Sequence, residues 1–218
     1  MPHSTQLLAI DVVSDVVCPW CFLGKRRLEQ ALAQGEAGPI ALRWRPYQLD
    51  PAIPTGGLGR RAYLANKFGG EGRLAAAHER LSALGAQAGI AYDFERIERA
   101  PNTLDAHRLI RWAGSAGVQD KVVERLFKLY FEQGRDIGDR AVLVGAARDC
   151  GMDGDAAREL LATDADVEAV RAEIAEAQAL GVSGVPFFIF ASRFGVSGAQ
   201  GADVLAKAIA QARRGDAS

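Results

Sequence analysis

Apolar and polar residues follow patterns along the chain that predict its first elements. The apolar run over residues 7–14 is bounded by polar residues and predicts a buried strand, and the alternation over residues 40–47 predicts a second strand. Between them, Leu28, Ala31 and Leu32 recur at helical spacing. The order strand, helix, strand predicts two parallel strands joined by a crossover helix.

The rest of the chain changes pattern twice. From about residue 58 to residue 180, apolar residues recur at steps of three and four, which predicts a series of helices. Residues 186–190 and 193–197 then predict a hairpin, with Ala191-Ser192 as its turn. Residues 204–212 predict a closing helix.

This order of elements predicts an α/β protein with a thioredoxin-like fold. Its mixed sheet, of the order βαβ…ββα, is divided by a large all-helical insertion. We assign residues 1–57 and 181–218 to the thioredoxin-like domain and residues 58–180 to the helical insertion domain. A hairpin after parallel strands is hard to reconcile with a Rossmann fold, and no G-x-G-x-x-G follows the first strand.

Composition narrows the classes of function. The 218 residues include 26 Lys and Arg and 27 Asp and Glu, a net charge of -1, so we expect no binding to nucleic acid. No apolar stretch reaches about 18 residues, so we expect no membrane-spanning helix. No secretory signal is visible at the N-terminus, and we therefore expect a cytoplasmic protein.

The segment Cys18-Pro19-Trp20-Cys21 lies between the first predicted strand and the first helix. The unpaired amides and positive end of a helix N-terminus favour a thiolate, and Pro19 has no N–H to lose there. Spacing of two residues lets Cys21 reach Cys18, which predicts a redox pair. A zinc site would need two more ligands at compatible spacing, so we expect no metal and no organic cofactor.

A second signal is Gly181-Val182-Ser183-Gly184-Val185-Pro186, directly before a predicted strand. A proline entering a strand is found at edges and turns. The functional interpretation is a cis Val185-Pro186 bond that presents the Val185 backbone beside the cysteines. The residues alone leave both interpretations open, and most X-Pro bonds are trans.

With both signals in place, the chain resembles the DsbA-like branch of the thioredoxin superfamily, and most closely its FrnE-like group. Four segments carry the resemblance: Ser14-Asp15-Val16-Val17-Cys18-Pro19-Trp20-Cys21, Trp44-Arg45-Pro46-Tyr47-Gln48-Leu49, Asn102-Thr103-Leu104-Asp105-Ala106-His107-Arg108 and Gly181-Val182-Ser183-Gly184-Val185-Pro186-Phe187-Phe188.

The resemblance implies a thioredoxin fold with a helical insertion and thiol–disulfide oxidoreductase activity on protein or small-molecule thiols and disulfides. It implies Cys18 as nucleophile, Cys21 as resolving thiol and a cis Val185-Pro186 bond next to them. DsbA usually has His where this chain has Trp20. We therefore predict a couple less oxidising than DsbA, whose potential is about −120 mV.

Two other classes of function stay open. The same branch includes 2-hydroxychromene-2-carboxylate isomerases and kappa-class glutathione transferases, which typically have Ser at the position of Cys18 and use glutathione without net redox change. Glutathione is therefore a candidate co-substrate here. The third class is a chaperone-like binding module whose cysteines sense the redox state.

Several other residues have a structural and a functional interpretation. Asn102 is predicted to cap a helix, and His107 to lie in the core of the same helix; the alternative for both is the active-site cleft. Trp20 is predicted to be partly exposed, and Cys150 to be structural on an apolar helix face. The basic run Lys25-Arg26-Arg27 is predicted to be a solvated helix face, and the insertion is a candidate homodimer surface.

Overall fold

A computed structural model describes residues 7–34, 38–69 and 71–215 of the chain. The strands of these residues are β1 (Leu8–Ser14), β2 (Ile40–Pro46), β3 (Leu58–Gly59), β4 (Arg99–Ala100), β5 (Phe187–Phe190) and β6 (Phe194–Ser197). Their α-helices are α1 (Pro19–Gln34), α2 (Arg60–Phe68), α3 (Glu71–Gln87), α4 (Leu104–Ser115), α5 (Gln119–Phe131), α6 (Arg140–Asp149), α7 (Gly154–Leu161), α8 (Val167–Ala179) and α9 (Ala202–Gly215).

The main sheet has four strands in the order β2-β1-β5-β6. β1 and β2 are parallel, with Val12 opposite Trp44, while β5 is antiparallel to both β1 and β6. β1 is central and is buried on both faces, which is why its sequence is a nearly continuous apolar run. The predicted mixed sheet of the order βαβ…ββα is therefore confirmed.

The segment between β2 and β5 is largely helical, as predicted, and holds α2 to α8. It also contains a two-stranded sheet in which Leu58 of β3 lies opposite Ala100 of β4. These strands were not predicted, because two residues are too few to establish a period. Leu8 and Phe188 belong to the same buried cluster as Leu109 and Phe127, so one core extends through both predicted domains. The proposed domain boundaries stay a prediction.

The prediction of a solvated face at Lys25-Arg26-Arg27 is wrong. Lys25 is only 2% exposed and forms ion pairs with Asp120 at 3.1 Å and Glu124 at 3.5 Å. Arg26 also pairs with Glu124. The helical segment places the acidic residues of α5 against α1, so these cations join the two parts of the chain. The sequence around α1 contains no sign of that partner.

Gly24 marks the close approach of α1 to the loop before β5. A Cβ at this position would lie 2.9 Å from Cγ of Pro186, closer than side chains normally come. We expect Gly24→Ala to lower the free energy of unfolding by about 1–3 kcal/mol, the usual cost of overpacking. Urea denaturation followed by circular dichroism measures this change.

Gly145 in α6 supplies the matched control, because nothing lies within 4 Å of a Cβ built there. Gly145→Ala is expected to raise the free energy of unfolding by about 0.5–1 kcal/mol through helix propensity. If both substitutions change the free energy of unfolding in the same direction and by the same amount, the contact with Pro186 does not limit the size of the side chain at position 24.

No helix among the described residues has the length and apolar character needed to cross a bilayer.

Candidate active site

The cysteine pair lies at the N-terminal end of α1. The helix begins at Pro19, so Cys18 directly precedes its first turn. The Cys18 amide donates to the Asp15 carbonyl at 3.0 Å, and the Cys21 amide donates to the Cys18 carbonyl at 3.0 Å. These bonds fix Cys18 at the positive end of the helix dipole, where a negative charge is stabilised.

Both cysteines are free thiols, but their surroundings differ. Cys21 is completely buried, whereas 4% of Cys18 is exposed. Burial, and then hydrogen bonding to Cys18, raises the pKa of the Cys21 thiol well above its usual value. Cys21 therefore keeps its proton at neutral pH, and Cys18 is the member of the pair that outside molecules can meet.

The loop before β5 reaches the cysteine pair from the other end of the chain. The Val185-Pro186 peptide bond is cis. The Cys18 thiol donates to the Val185 carbonyl, with 3.6 Å between the sulfur and the oxygen. Pro186 is buried against α1. The cysteine segment and the Val185-Pro186 segment, which lie near opposite ends of the sequence, thus meet in the fold.

An apolar pocket of about 370 Å³ opens beside Cys18. Cys18, Pro19, Trp20 and Val185 form one side of it, and α2 and α3 form the opposite side. Most of its lining is apolar, including Leu64, Phe68, Leu74, Leu81 and Phe131. The pocket is large enough for a small organic molecule or a side chain of a peptide.

Trp20 forms part of the pocket wall and is half-buried, so its predicted partial exposure is confirmed. The guanidinium of Arg80 lies 5.7 Å from the centre of the Trp20 ring, within range of a cation–π contact. The hydroxyl of Tyr92 donates to the Pro19 carbonyl at 2.5 Å. Burial, and then the two cysteines, raises the pKa of Tyr92, so this hydroxyl stays a donor.

The DSBA-like thioredoxin domain family matches residues 9–210. The chain belongs to this family. Its structure is similar to that of a probable DsbA oxidoreductase from Streptomyces coelicolor, with 33% sequence identity and a TM-score of 0.87 over 94% of this chain and 89% of that chain. The predicted thioredoxin-like fold and the DsbA-like resemblance are confirmed. Membership of the FrnE-like group stays a prediction.

Two further solved structures share the DsbA-like fold at lower identity. A 2-hydroxychromene-2-carboxylate isomerase is 19% identical, with a TM-score of 0.70 over 96% of this chain and 98% of that chain. The cytosolic disulfide reductase DsbM from Pseudomonas aeruginosa, solved with GSH, is 19% identical, with a TM-score of 0.65 over 94% of this chain and 99% of that chain.

A buried polar cluster lies at the carboxyl end of β1 in this DsbA-like chain. The Nε2 atom of His107 is 3.4 Å from Oδ1 of Asp15, but neither atom makes a hydrogen bond, and neither does the hydroxyl of Ser14. The other carboxylate oxygen of Asp15 accepts the amide of Leu49 at 2.8 Å. His107 is therefore a core residue that faces Asp15, as its position on the apolar stripe of α4 suggested.

Asp15 was not among the residues singled out from the sequence. It directly follows a buried strand and precedes Cys18 by three positions. An acidic residue at the carboxyl end of a central strand is a sequence feature from which Asp15 could have been predicted. Asp15 is one of the residues that line the pocket beside Cys18.

Asn102 organises the loop next to the pocket. The cap position of α4 belongs to Thr103, so the predicted cap is displaced by one residue. Asn102 still accepts the Leu104 amide at 3.0 Å, and it also accepts Gln48 and donates to the Ile53 carbonyl. The side chain is thus engaged on three sides with protein groups.

A second cavity, of about 890 Å³, lies on the outer side of β2 and contains His107 in its wall. The Gln119 side chain pairs with both backbone groups of Trp44 there, accepting its amide at 2.9 Å and donating to its carbonyl at 3.1 Å. Gln119 thereby satisfies part of the open edge of the sheet.

Cys150 lies at the C-terminal end of α6 and is not among the residues that line the pocket beside Cys18. It is half-buried, and burial raises the pKa of its thiol. That environment fits the structural role predicted for it, because a raised pKa makes a thiol less reactive. Within the described residues, no group of three or more His, Cys, Asp and Glu side chains is placed to hold a metal ion.

Proposed function

We propose that this DsbA-like protein is a thiol–disulfide oxidoreductase in which Cys18 attacks and Cys21 resolves. The placement of Cys18 supports this proposal most directly. Its thiol lies at the positive end of α1, 3.6 Å from the Val185 carbonyl and at the mouth of an apolar pocket. A substrate disulfide can therefore reach Cys18 but not the buried Cys21.

In the reducing direction, the Cys18 thiolate attacks one sulfur of the substrate disulfide. A mixed disulfide forms and the first substrate thiolate leaves. Cys21 then loses its proton and attacks the Cys18 sulfur, which forms the Cys18–Cys21 disulfide and releases the second substrate thiolate. Two electrons pass to the substrate, and the proton of Cys21 passes to a leaving thiolate. The reverse sequence oxidises a substrate dithiol.

A redox titration tests this proposal. In glutathione buffers of graded ratio, we expect a cooperative two-electron transition confined to Cys18 and Cys21, with Cys150 unmodified by mass. Because no His precedes Cys21, the midpoint should lie below the value for DsbA, about −120 mV. Cys21→Ser should stop at the mixed disulfide, which mass spectrometry detects. If no buffer produces a Cys18–Cys21 disulfide, the proposal fails.

A second candidate is a glutathione-dependent isomerase or transferase. It is favoured by the apolar lining of the pocket beside Cys18, which suits a small organic substrate. Such a reaction has no need of a resolving thiol. Cys21→Ser would therefore keep the turnover of a chromene-type substrate with glutathione, while disulfide exchange would stop.

Glutathione is proposed as the thiol that restores the cysteine pair, and the cytoplasm as the compartment. The glutathione-bound structure of a cytosolic disulfide reductase with this fold supports both. The chaperone-like module and the homodimer stay predictions. The chaperone-like module would be supported if Cys18→Ser still suppresses the aggregation of other proteins. Light scattering over a range of protein concentrations tests the homodimer.

A further inference from the structure

Arg60, the first residue of α2, brings a positive charge to the pocket beside Cys18. Its guanidinium is partly buried, and burial lowers its pKa. Within the described parts of the chain, no carboxylate forms an ion pair with Arg60, and the charge of Glu95 acts on it only from a longer distance. A cation held away from water without an anion is costly, so the pocket favours a ligand that supplies one.

The close contacts of Arg60, which include the Tyr130 side chain, fix its position without pairing it with a carboxylate. It donates to the Phe94 carbonyl at 3.1 Å and lies 3.3 Å from Nε2 of His78. Its guanidinium also lies 5.7 Å from the centre of the Phe94 ring. Burial, and then Arg60 itself, lowers the pKa of His78, so that ring is neutral at neutral pH. Arg60 is thus a preformed cation on one wall of the pocket.

The other charged groups of the pocket have at least one polar contact each. Lys67 lies 4.0 Å from Asp50, and the hydroxyl of Tyr63 donates to the same carboxylate at 2.9 Å. Asp15 accepts the Leu49 amide and faces His107. Against this background, the charge of Arg60 is the feature that a ligand would recognise.

We infer that the pocket selects thiols and disulfides that combine an apolar body with a carboxylate, the carboxylate binding Arg60 while the sulfur meets Cys18. The apolar lining takes the body of the molecule by burial. The planar guanidinium matches a carboxylate through paired hydrogen bonds. The inference rests on the proposed exchange at Cys18 and adds a substrate class to it.

Two aromatic disulfides of similar size distinguish the effect of a substrate's charge from the effect of its shape. Dithiobis(nitrobenzoate) carries a carboxylate on each ring, and dithiodipyridine carries none. Reduced protein is mixed with each disulfide in single-turnover measurements, in a Cys150→Ser background so that only the pair reacts. Each reaction converts the dithiol to the Cys18–Cys21 disulfide and releases two aromatic thiols, whose absorbance is followed.

We expect Arg60→Gln to slow the reaction with dithiobis(nitrobenzoate) by about tenfold, the scale of one lost charge-assisted contact. The reaction with dithiodipyridine should change by less than about twofold, since apolar contacts are unaltered. Arg61→Gln is the matched control, because it removes the same charge from the next residue, which does not line the pocket. Arg60→Lys should recover part of the rate, because it keeps the charge without the planar fork.

Two results would overturn the inference. One is an equal slowing of both disulfides in Arg60→Gln, and the other is an equal effect of Arg60→Gln and Arg61→Gln on the anionic disulfide. Failure of the proposed function looks different, because the unsubstituted pair would then form no Cys18–Cys21 disulfide with either reagent.

Discussion

Replacing Cys18 with serine is expected to abolish disulfide exchange, with a loss of more than about a thousandfold, the scale seen when a covalent nucleophile is removed. Cys18 is the only member of the pair with any exposed surface, and Cys21 is fully buried with a raised pKa. Cys21 therefore cannot take over the first attack. The measurement is the steady-state rate of reduction of a model disulfide, with thiol release followed by absorbance.

Cys150→Ser is the matched control for that experiment. Cys150 lies at the end of α6, and burial raises the pKa of its thiol, so its removal should leave exchange unchanged. Retention of most of the rate in Cys18→Ser, or its loss in Cys150→Ser, would place the reaction at another thiol and end the assignment of the pair.

The largest expected loss of stability comes from Arg108 in α4, whose side chain is only 1% exposed. Its guanidinium donates to the carbonyls of Ala165 at 2.6 Å, Leu160 at 2.7 Å and Thr163 at 2.7 Å, which tie α4 to the turn between α7 and α8. It also pairs with Asp105 at 2.7 Å. Arg108→Met would remove this donor from all four acceptors, although the Leu160 carbonyl keeps the Thr163 amide and hydroxyl and Asp105 keeps Arg140.

We expect Arg108→Met to lower the free energy of unfolding by about 3–5 kcal/mol, the cost of removing one partner of a buried charged network. Urea denaturation followed by circular dichroism measures the change. Arg111→Met on the same helix is the matched control, because Arg111 is exposed and pairs with Asp166 and Glu173 at the surface. It should cost no more than about 1 kcal/mol. Similar losses for the two variants would contradict the structural role of Arg108.

The sequence determined those features of the protein that depend on neighbours along the chain. The apolar run of β1, the alternation of β2 and the hairpin of β5 and β6 each carry their own period, because burial on one or two faces selects residues at fixed spacing. The cysteine motif is equally local. Two residues separate Cys18 from Cys21, and both cysteines lie at the start of α1, where the local sequence alone puts them.

The tertiary structure alone decided what the polar residues contact. The sequence predicts Lys25 to be a surface residue, but in the structure α5 places Asp120 and Glu124 against it. Asp15 and His107 are separated by 92 positions and meet only because α4 packs against β2, beside the carboxyl end of β1. The Val185 carbonyl accepts a hydrogen bond from the Cys18 thiol although the two residues are 167 positions apart. Arg60 lines the pocket only because α2 is placed beside it.

The physical reason is the same in each case. The burial of apolar residues is visible in the sequence as a regular spacing along a helix or strand, because the hydrophobic effect is non-directional and acts on any face that is covered. A charged or polar side chain is stable in water or beside a suitable partner, and its sequence neighbourhood does not distinguish the two. The sequence thus determined the fold class and the cysteine pair, and only the packing of the helical segment on the sheet decided which polar groups surround that pair.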